Sequence, residues 1–309
     1  MADLEMATRA MRHHEDALLM HENVVHIAVI ETGKRTCAIE IGLKQEEDHA
    51  SVALLPALPD ALPVPDEAGN LKGSHHKVDV VRRVVGEARK FDTPAYPDKM
   101  RPAKGGVSCG NPLAYPHPDA GTGTFGGLLT INDSPYLVSS HHVIYGTQGQ
   151  DGEDVIQQGP KDGGKVPANA VAQNTYGVDN ELVDVGFAAI VGEVGELVTD
   201  GTVCFGKFDG IGEAKQFDEI KKCGRTTGKS IGTVQSIFAT IKIGEITYRD
   251  QLLLDLVATH GDSGSFILDT ENKIVGLLMA GTNGGQVYAN KIANVMAEGT
   301  GHLPKPVTS

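Results

Sequence analysis

From about residue 120 to residue 295, short apolar runs alternate with Gly, Asn and Asp turns. They are Leu128–Ile131, Tyr136–Val138, Val183–Ile190, Val203–Phe205, Thr233–Ile237, Gln251–Val257, Ser265–Leu268, Ile274–Met279 and Gln286–Ala289. Runs this short, bounded by turn residues, read as strands rather than helices. Their spacing predicts an antiparallel sandwich or a pair of barrels. The 38 glycines fit a turn-dense, mostly β chain, and 40% apolar residues are enough to pack a core. At 309 residues the chain exceeds one typical domain. No repeat of fixed short period breaks the pattern.

The N-terminal part reads differently. Residues 3–21 carry a rough apolar stripe, Met6, Ala10, Leu18 and Leu19, and predict a helix. Two short strands are expected at Val24–Ile30 and Thr36–Leu43, joined by a Glu-Thr-Gly-Lys turn. Four prolines between Leu54 and Gly73 predict an extended connection, and Val78–Val85 a further strand. The expected organisation is an α+β module over 1–95, a Pro/Gly-rich linker over 96–120, the β domain over 121–300 and a tail over 301–309.

The formal net charge is −13. A nucleic-acid binder carries a basic footprint, and so does a protein that sits on anionic lipid. Here Arg82-Arg83 and Lys221-Lys222 are small clusters in an acidic background, so neither partner is expected. No stretch approaches the roughly 20 apolar residues of a membrane span. The start, MADLEMATRAMRHHEDALLM, lacks the apolar core of a secretory signal. The four cysteines, Cys37, Cys109, Cys204 and Cys223, are widely spaced, which permits disulfides without requiring them. The economical expectation is a reduced, soluble, cytoplasmic protein.

The sharpest local chemistry is Thr259-His260-Gly261-Asp262-Ser263-Gly264-Ser265. A serine flanked by glycine on a tight turn exposes its hydroxyl beside free backbone N–H groups. Those of Gly261 and Ser263 could cradle an oxyanion, and such a donor lowers a barrier by about 3 kcal/mol. Alone, the string fits an ordinary polar loop equally well. Serine also needs a base, and Tyr136-Leu137-Val138-Ser139-Ser140-His141-His142 places histidines at the end of an apolar strand. An acid within the apolar run Leu182–Ile190, Asp184, must find a partner or cost several kcal/mol, and an imidazole N–H is such a partner. Asp179, outside that run, is the weaker candidate.

The order His, Asp, Ser with Gly-Asp-Ser-Gly around the serine resembles the chymotrypsin-like (trypsin-fold) serine peptidases of bacterial type. Ser139-Ser140-His141-His142-Val143 is similar to their histidine motif, which places the base at His142. Asp184-Val185-Gly186 stands at the acid's place, Gly224-Arg225-Thr226-Thr227-Gly228 resembles the hairpin ahead of the serine, and Val275–Gly281 resembles the substrate-lining strand. The resemblance covers about residues 120–300 and implies two antiparallel six-stranded β-barrels preceded by the α+β module. It implies a triad of His142, Asp184 and Ser263, an oxyanion hole from Gly261 and Ser263, and no metal or organic cofactor. It also implies a substrate pocket with Val257 at its base, Leu278, Ala280 and Gly281 along its wall and His260 at its mouth. With no carboxylate at that base, a small or medium aliphatic side chain is expected before the scissile bond; His260 offers a competing reading that accepts an acidic one.

Two departures bear on function. No activation terminus precedes the barrels, so pairing of an N-terminal amine with Asp262 is not expected, and local hydrogen bonds to Asp262 take its place. Met279 stands where relatives carry a serine. The 1–95 segment resembles, loosely, a small α+β module that precedes such domains in some bacterial proteins, and partner binding or self-association is expected through it. Other constellations fail. Gly261–Ser265 is not G-x-S-x-G, the paired histidines lack zinc-ligand spacing, and Gly121-x-Gly123-x-x-Gly126 precedes a strand instead of opening a helix. Two rival readings remain: a pseudoprotease scaffold, and a narrow, self-processing protease whose N-terminal module binds a partner.

Overall fold

The computed structural model describes residues 2–21, 23–33, 36–43, 58–72, 75–84, 95–117, 121–282 and 285–305. Residues 54–57 and 73 of the proline-rich connection, the junction at 85–94 and the last residues of the tail lie outside them.

Helix α1 (Leu4–Leu19) starts at Asp3, whose carboxylate accepts the Met6 N–H at 2.9 Å, a favoured way to satisfy a free helical donor. Ala7, Ala10, Met11, Leu18 and Leu19 form its buried stripe. The stripe packs on a sheet of β1 (Val24–Gly33), β2 (Thr36–Leu43), β3 (Ala61–Pro63) and β4 (Lys77–Val84), closing a core with Ile27, Val29, Ile39 and Ile41.

The expected pair of six-stranded antiparallel barrels is what the rest of the chain forms. The first is built from β6 (Ser108–Gly110), β7 (Thr122–Thr124), β8 (Gly127–Ile131), β9 (Ser134–Ser139), β10 (Asp154–Ile156), β11 (Ala170–Asp179) and β12 (Asp184–Ile190), after a short β5 (Ala103–Gly105). Its order is β7-β6-β10-β11-β12-β9-β8. Because β7 and β8 are consecutive pieces of one interrupted strand, the sheet curls into a six-membered ring. Phe125, Leu137, Ile144, Val155 and Val171 fill it. The one-turn helix α2 (His141–Ile144) follows β9, and β13 (Val198–Thr202) pairs parallel with β5.

The second barrel comprises β14 (Glu219–Gly224), β15 (Gly228–Ile243), β16 (Ile246–Asp255), β17 (Phe266–Leu268), β18 (Ile274–Gly281) and β19 (Val287–Lys291). The order β14-β17-β18-β19-β16-β15 closes through a β14–β15 pairing. Helix α3 (Ile292–His302) then packs Ile292 and Val295 between the barrels against Leu129, Phe187 and Phe266. Strand β15 is 16 residues long and outruns the barrel. Its far half pairs with β1, Ala239 opposite Ala28 and Ile241 opposite His26, so one ten-stranded sheet runs from the barrel into the N-terminal unit.

Two sequence expectations need correction. Val203–Phe205 is a turn rather than a strand: the Thr202 hydroxyl accepts the Phe205 N–H at 3.0 Å, and the strand lies just before it in β13. The four cysteines are not all reduced. The turn brings Cys204 to the end of β14, where it is disulfide-bonded to Cys223 with a Cα–Cα distance of 5.8 Å. Wide spacing does not require this bond, although Cys204–Cys223 is the pair the sequence puts first if one forms. Closing 19 residues of chain should stabilise by about 3 kcal/mol. Treatment with a reductant, or a Cys204→Ser/Cys223→Ser double variant, is therefore expected to lower the melting temperature by about 5 °C. An unchanged melting curve would show that the bond contributes nothing.

Candidate active site

Ser139 and Ser140 end β9 and fasten it in place. The Ser139 hydroxyl donates to the Thr124 carbonyl at 2.8 Å and that of Ser140 to the Leu278 carbonyl at 3.1 Å. The chain turns directly into α2, which carries His141 and His142. Asp184, first residue of β12, is 1% exposed. It meets His142 twice: its Oδ1 accepts the His142 backbone N–H at 2.9 Å, and its Oδ2 lies 2.5 Å from Nδ1. That pair fixes the ring's orientation, and a carboxylate on Nδ1 makes Nε2 the nitrogen free to accept a proton. Nε2 has no protein partner among the described residues.

The neighbouring candidates are placed elsewhere. His141 stacks on the Tyr145 ring at 5.2 Å, and burial pushes its pKa down. Asp179 sits across the ladder from Asp184 and accepts the Tyr248 hydroxyl at 2.5 Å. Burial, then the charge of Asp184, pushes its pKa up.

Ser263 lies in the turn between β16 and β17. Its neighbour Gly264 has φ +92°, and a Cβ there would lie 2.4 Å from the Thr124 carbonyl oxygen. Gly261 has φ +88°, and a Cβ would lie 2.4 Å from a guanidinium nitrogen of Arg225. Glycine is therefore required at both places. The N–H groups of Gly261 and Ser263 find no acceptor among the described residues. Two such donors side by side are suited to an oxyanion. The Ser263 hydroxyl itself is hydrogen-bonded to the Met279 carbonyl at 3.2 Å, with no bond to His142.

Asp262 anchors this turn. Its carboxylate accepts N–H bonds from Thr226, Thr227 and Thr259 and the Thr227 hydroxyl, all within 3.0 Å. It also pairs with the Lys222 ammonium at 2.8 Å, with both side chains fully buried. Burial pushes the Lys222 pKa down, and Asp262 opposes that. Of the small basic cluster Lys221-Lys222, only Lys221 is partly exposed, and Lys222 is buried. The period-two alternation from buried Ile220 would have turned Lys222 inward. Arg225 crosses to the first barrel and grips Asp162 with two bonds of 2.6 Å.

Of the expected pocket residues, Leu278 and Ala280 are buried on β18, next to the Met279 that Ser263 touches, and Gly281 and His260 are half-buried. Val257 is a correction. It is 68% exposed, so it does not form the base of an enclosed pocket. Strand β16 ends at Asp255, and beyond it Leu256 and Ala258 pack inward while the Val257 side chain faces solvent, its N–H bonded to Ser230 Oγ at 3.1 Å.

Among the described residues, no group of three or more His, Cys, Asp or Glu side chains is arranged to hold a metal ion, and no helix is long and apolar enough to cross a membrane.

No family model and no curated protein matches this chain. Solved structures do. Protease A of Thermobifida fusca is 20% identical with a TM-score of 0.48, over 63% of this chain and 94% of its own. A chymotrypsin of Cellulomonas bogoriensis is 16% identical with a TM-score of 0.46, over 63% and 94%. An alpha-lytic protease homologue is 15% identical with a TM-score of 0.49, over 63% and 96%.

Proposed function

We propose that the protein is a serine endopeptidase that acts through an acyl-enzyme on Ser263. The observation that carries this reading is the doubly bonded His142–Asp184 pair beside a serine turn with two unclaimed N–H donors. The Ser263 hydroxyl turns from the Met279 carbonyl to His142 Nε2, which takes its proton as the oxygen attacks the peptide carbonyl. The oxyanion that forms accepts the Gly261 and Ser263 N–H bonds. His142 returns the proton to the leaving amine, and water then repeats the sequence to free the acid. Asp184 keeps the tautomer and favours the imidazolium.

The direction of the Ser263 hydroxyl favours a second reading. A serine bonded to Met279 suits a scaffold with barrels that bind peptide without cutting it. Residues 1–95 would supply partner binding or self-association in either reading, or restrain a protease that processes itself. The division at 1–95, 96–120 and 121–300 is proposed on the same footing. The expected cytoplasmic setting has against it the Cys204–Cys223 bond, a kind that persists chiefly in oxidising compartments.

Cleavage of a peptide library by the purified protein tests the reading. With Leu278 and Ala280 as the apolar wall, cuts should follow Ala, Val, Leu or Met, since a buried Lys or Arg would lack a counter-charge. No cleavage, together with no reaction with a fluorophosphonate, would leave the scaffold reading. Cutting mainly after Lys or Arg would show that the pocket is drawn wrongly.

A further inference from the structure

The triad's three side chains come from two barrels, so something must hold the barrels in register at the site. Asp184 and His142 belong to the first and Ser263 to the second. Along the second barrel a row of groups fastens the loop that ends in Asp184. The Tyr248 hydroxyl holds Asp179, the Arg249 N–H donates to the Glu181 carbonyl at 2.6 Å, and Gln251 Nε2 donates to the Leu182 carbonyl at 2.9 Å. The last rung reaches Asp184 itself: its backbone N–H donates to Asn290 Oδ1 at 3.1 Å.

That rung has a built-in polarity. A backbone N–H can only donate, so Asn290 must present its oxygen to Asp184 and its NH₂ to the other side. There Nδ2 donates to Gln251 Oε1 at 2.7 Å and lies 3.6 Å from the Met279 sulfur. Gln251 is then obliged to turn its own NH₂ toward carbonyls, and it finds those of Leu182 and Arg249. Asn290 and Gln251 are both fully buried. A buried polar pair costs stability unless each group is bonded, and here the bonds lead to one place, the backbone of the carboxylate that orients His142.

We propose that Asn290, braced by Gln251, is a positioning residue for the triad, fixing Asp184 so that its carboxylate meets both the ring and the backbone of His142. The inference rests on the reading of the site as a serine peptidase. Neither amide touches substrate, and neither carries charge. Their replacement therefore removes no charge from the site, and any effect on the base comes through its geometry.

Asn290→Ala, assayed well below its melting temperature, is expected to lower kcat by about 10- to 100-fold with KM unchanged, the scale of a small displacement at a reacting group. The rate constant for fluorophosphonate labelling should fall by the same factor. Gln251→Leu leaves the Asn290 oxygen in place but removes its brace, and should show the same changes at about a third to a tenth of the size. If Asn290→Ala does not fold, the Gln251 variant decides. A variant that loses only melting temperature, with kcat and the labelling rate where they were, would reduce the pair to a packing role. A wild-type protein that neither cleaves nor labels would instead overturn the peptidase reading, before any variant is compared.

Discussion

Ser263→Ala is expected to abolish labelling by a fluorophosphonate and to lower turnover by about 10⁶-fold, because a nucleophile and its base act as one unit. His142→Ala should lose about as much, since without it nothing accepts the hydroxyl proton. Asp184→Asn should cost about 10⁴-fold by presenting the wrong tautomer. His141→Ala is the discriminating control. Its ring stacks on Tyr145 and makes no hydrogen bond to Asp184, so turnover should stay within about 10-fold of wild type. Equal labelling of wild type and Ser263→Ala would refute the nucleophile, and a larger loss from His141→Ala than from His142→Ala would move the base by one residue.

The second large effect concerns stability. Lys222→Met keeps all but the last atom of the buried side chain and removes its charge, leaving Asp262 fully buried without its ion partner. Removing one member of a buried pair costs about 3–5 kcal/mol. Chemical denaturation should show a loss of that order, with a lower midpoint and an unchanged slope. The turn that carries Ser263 is anchored through Asp262, so the surviving folded protein should also label more slowly. A loss below about 1 kcal/mol, the scale of an exposed pair, would mean that the four hydrogen bonds to Asp262 suffice without Lys222.

Much of this architecture was readable beforehand where one face of a strand is apolar. The runs at Leu128–Ile131 and Ile274–Met279 fall within strands, Gln286–Ala289 does so from Val287 on, and the N-terminal helix and two strands lie within a few residues of expectation. Strand β11 was missed because Gln173, Asn174 and Thr175 interrupt its alternation. Asn174 is nonetheless buried, its amide donating to the Ile144 carbonyl at 2.7 Å. Helix α3 was missed because Gly299 and Gly301 weaken its propensity. Packing decides there, since a Cβ on Gly299 would lie 2.5 Å from Ile131.

At the site, the chain order His142, Asp184, Ser263 and the glycines of the serine turn were visible as local patterns. Partnerships between distant residues were not. Lys222 with Asp262 and Asn290 with Asp184 are each made by the fold, and neither leaves a spacing to read. The misplacement of Val257 has the same origin. A count of residues back from the serine assumes which side of the chain each position takes, and here Val257 faces solvent between Leu256 and Ala258, which pack inward.

The continuous ten-stranded sheet has a consequence for truncated forms of the protein. Strand β15 overhangs its barrel, and β1 covers the overhang at Ala239–Ile241. Stripped of β1, that stretch would offer a row of open backbone donors and acceptors flanked by Phe238 and Ile241, which is a template for another chain to add to. At the far end the sheet stops safely. Its last strand, β3, is three residues long and finishes in Pro63, which has no N–H to offer. The N-terminal unit thus moves the sheet's growing margin from a sticky place to a blunt one. A barrel expressed without it would be prone to aggregate through β15 even with every residue of the candidate site intact.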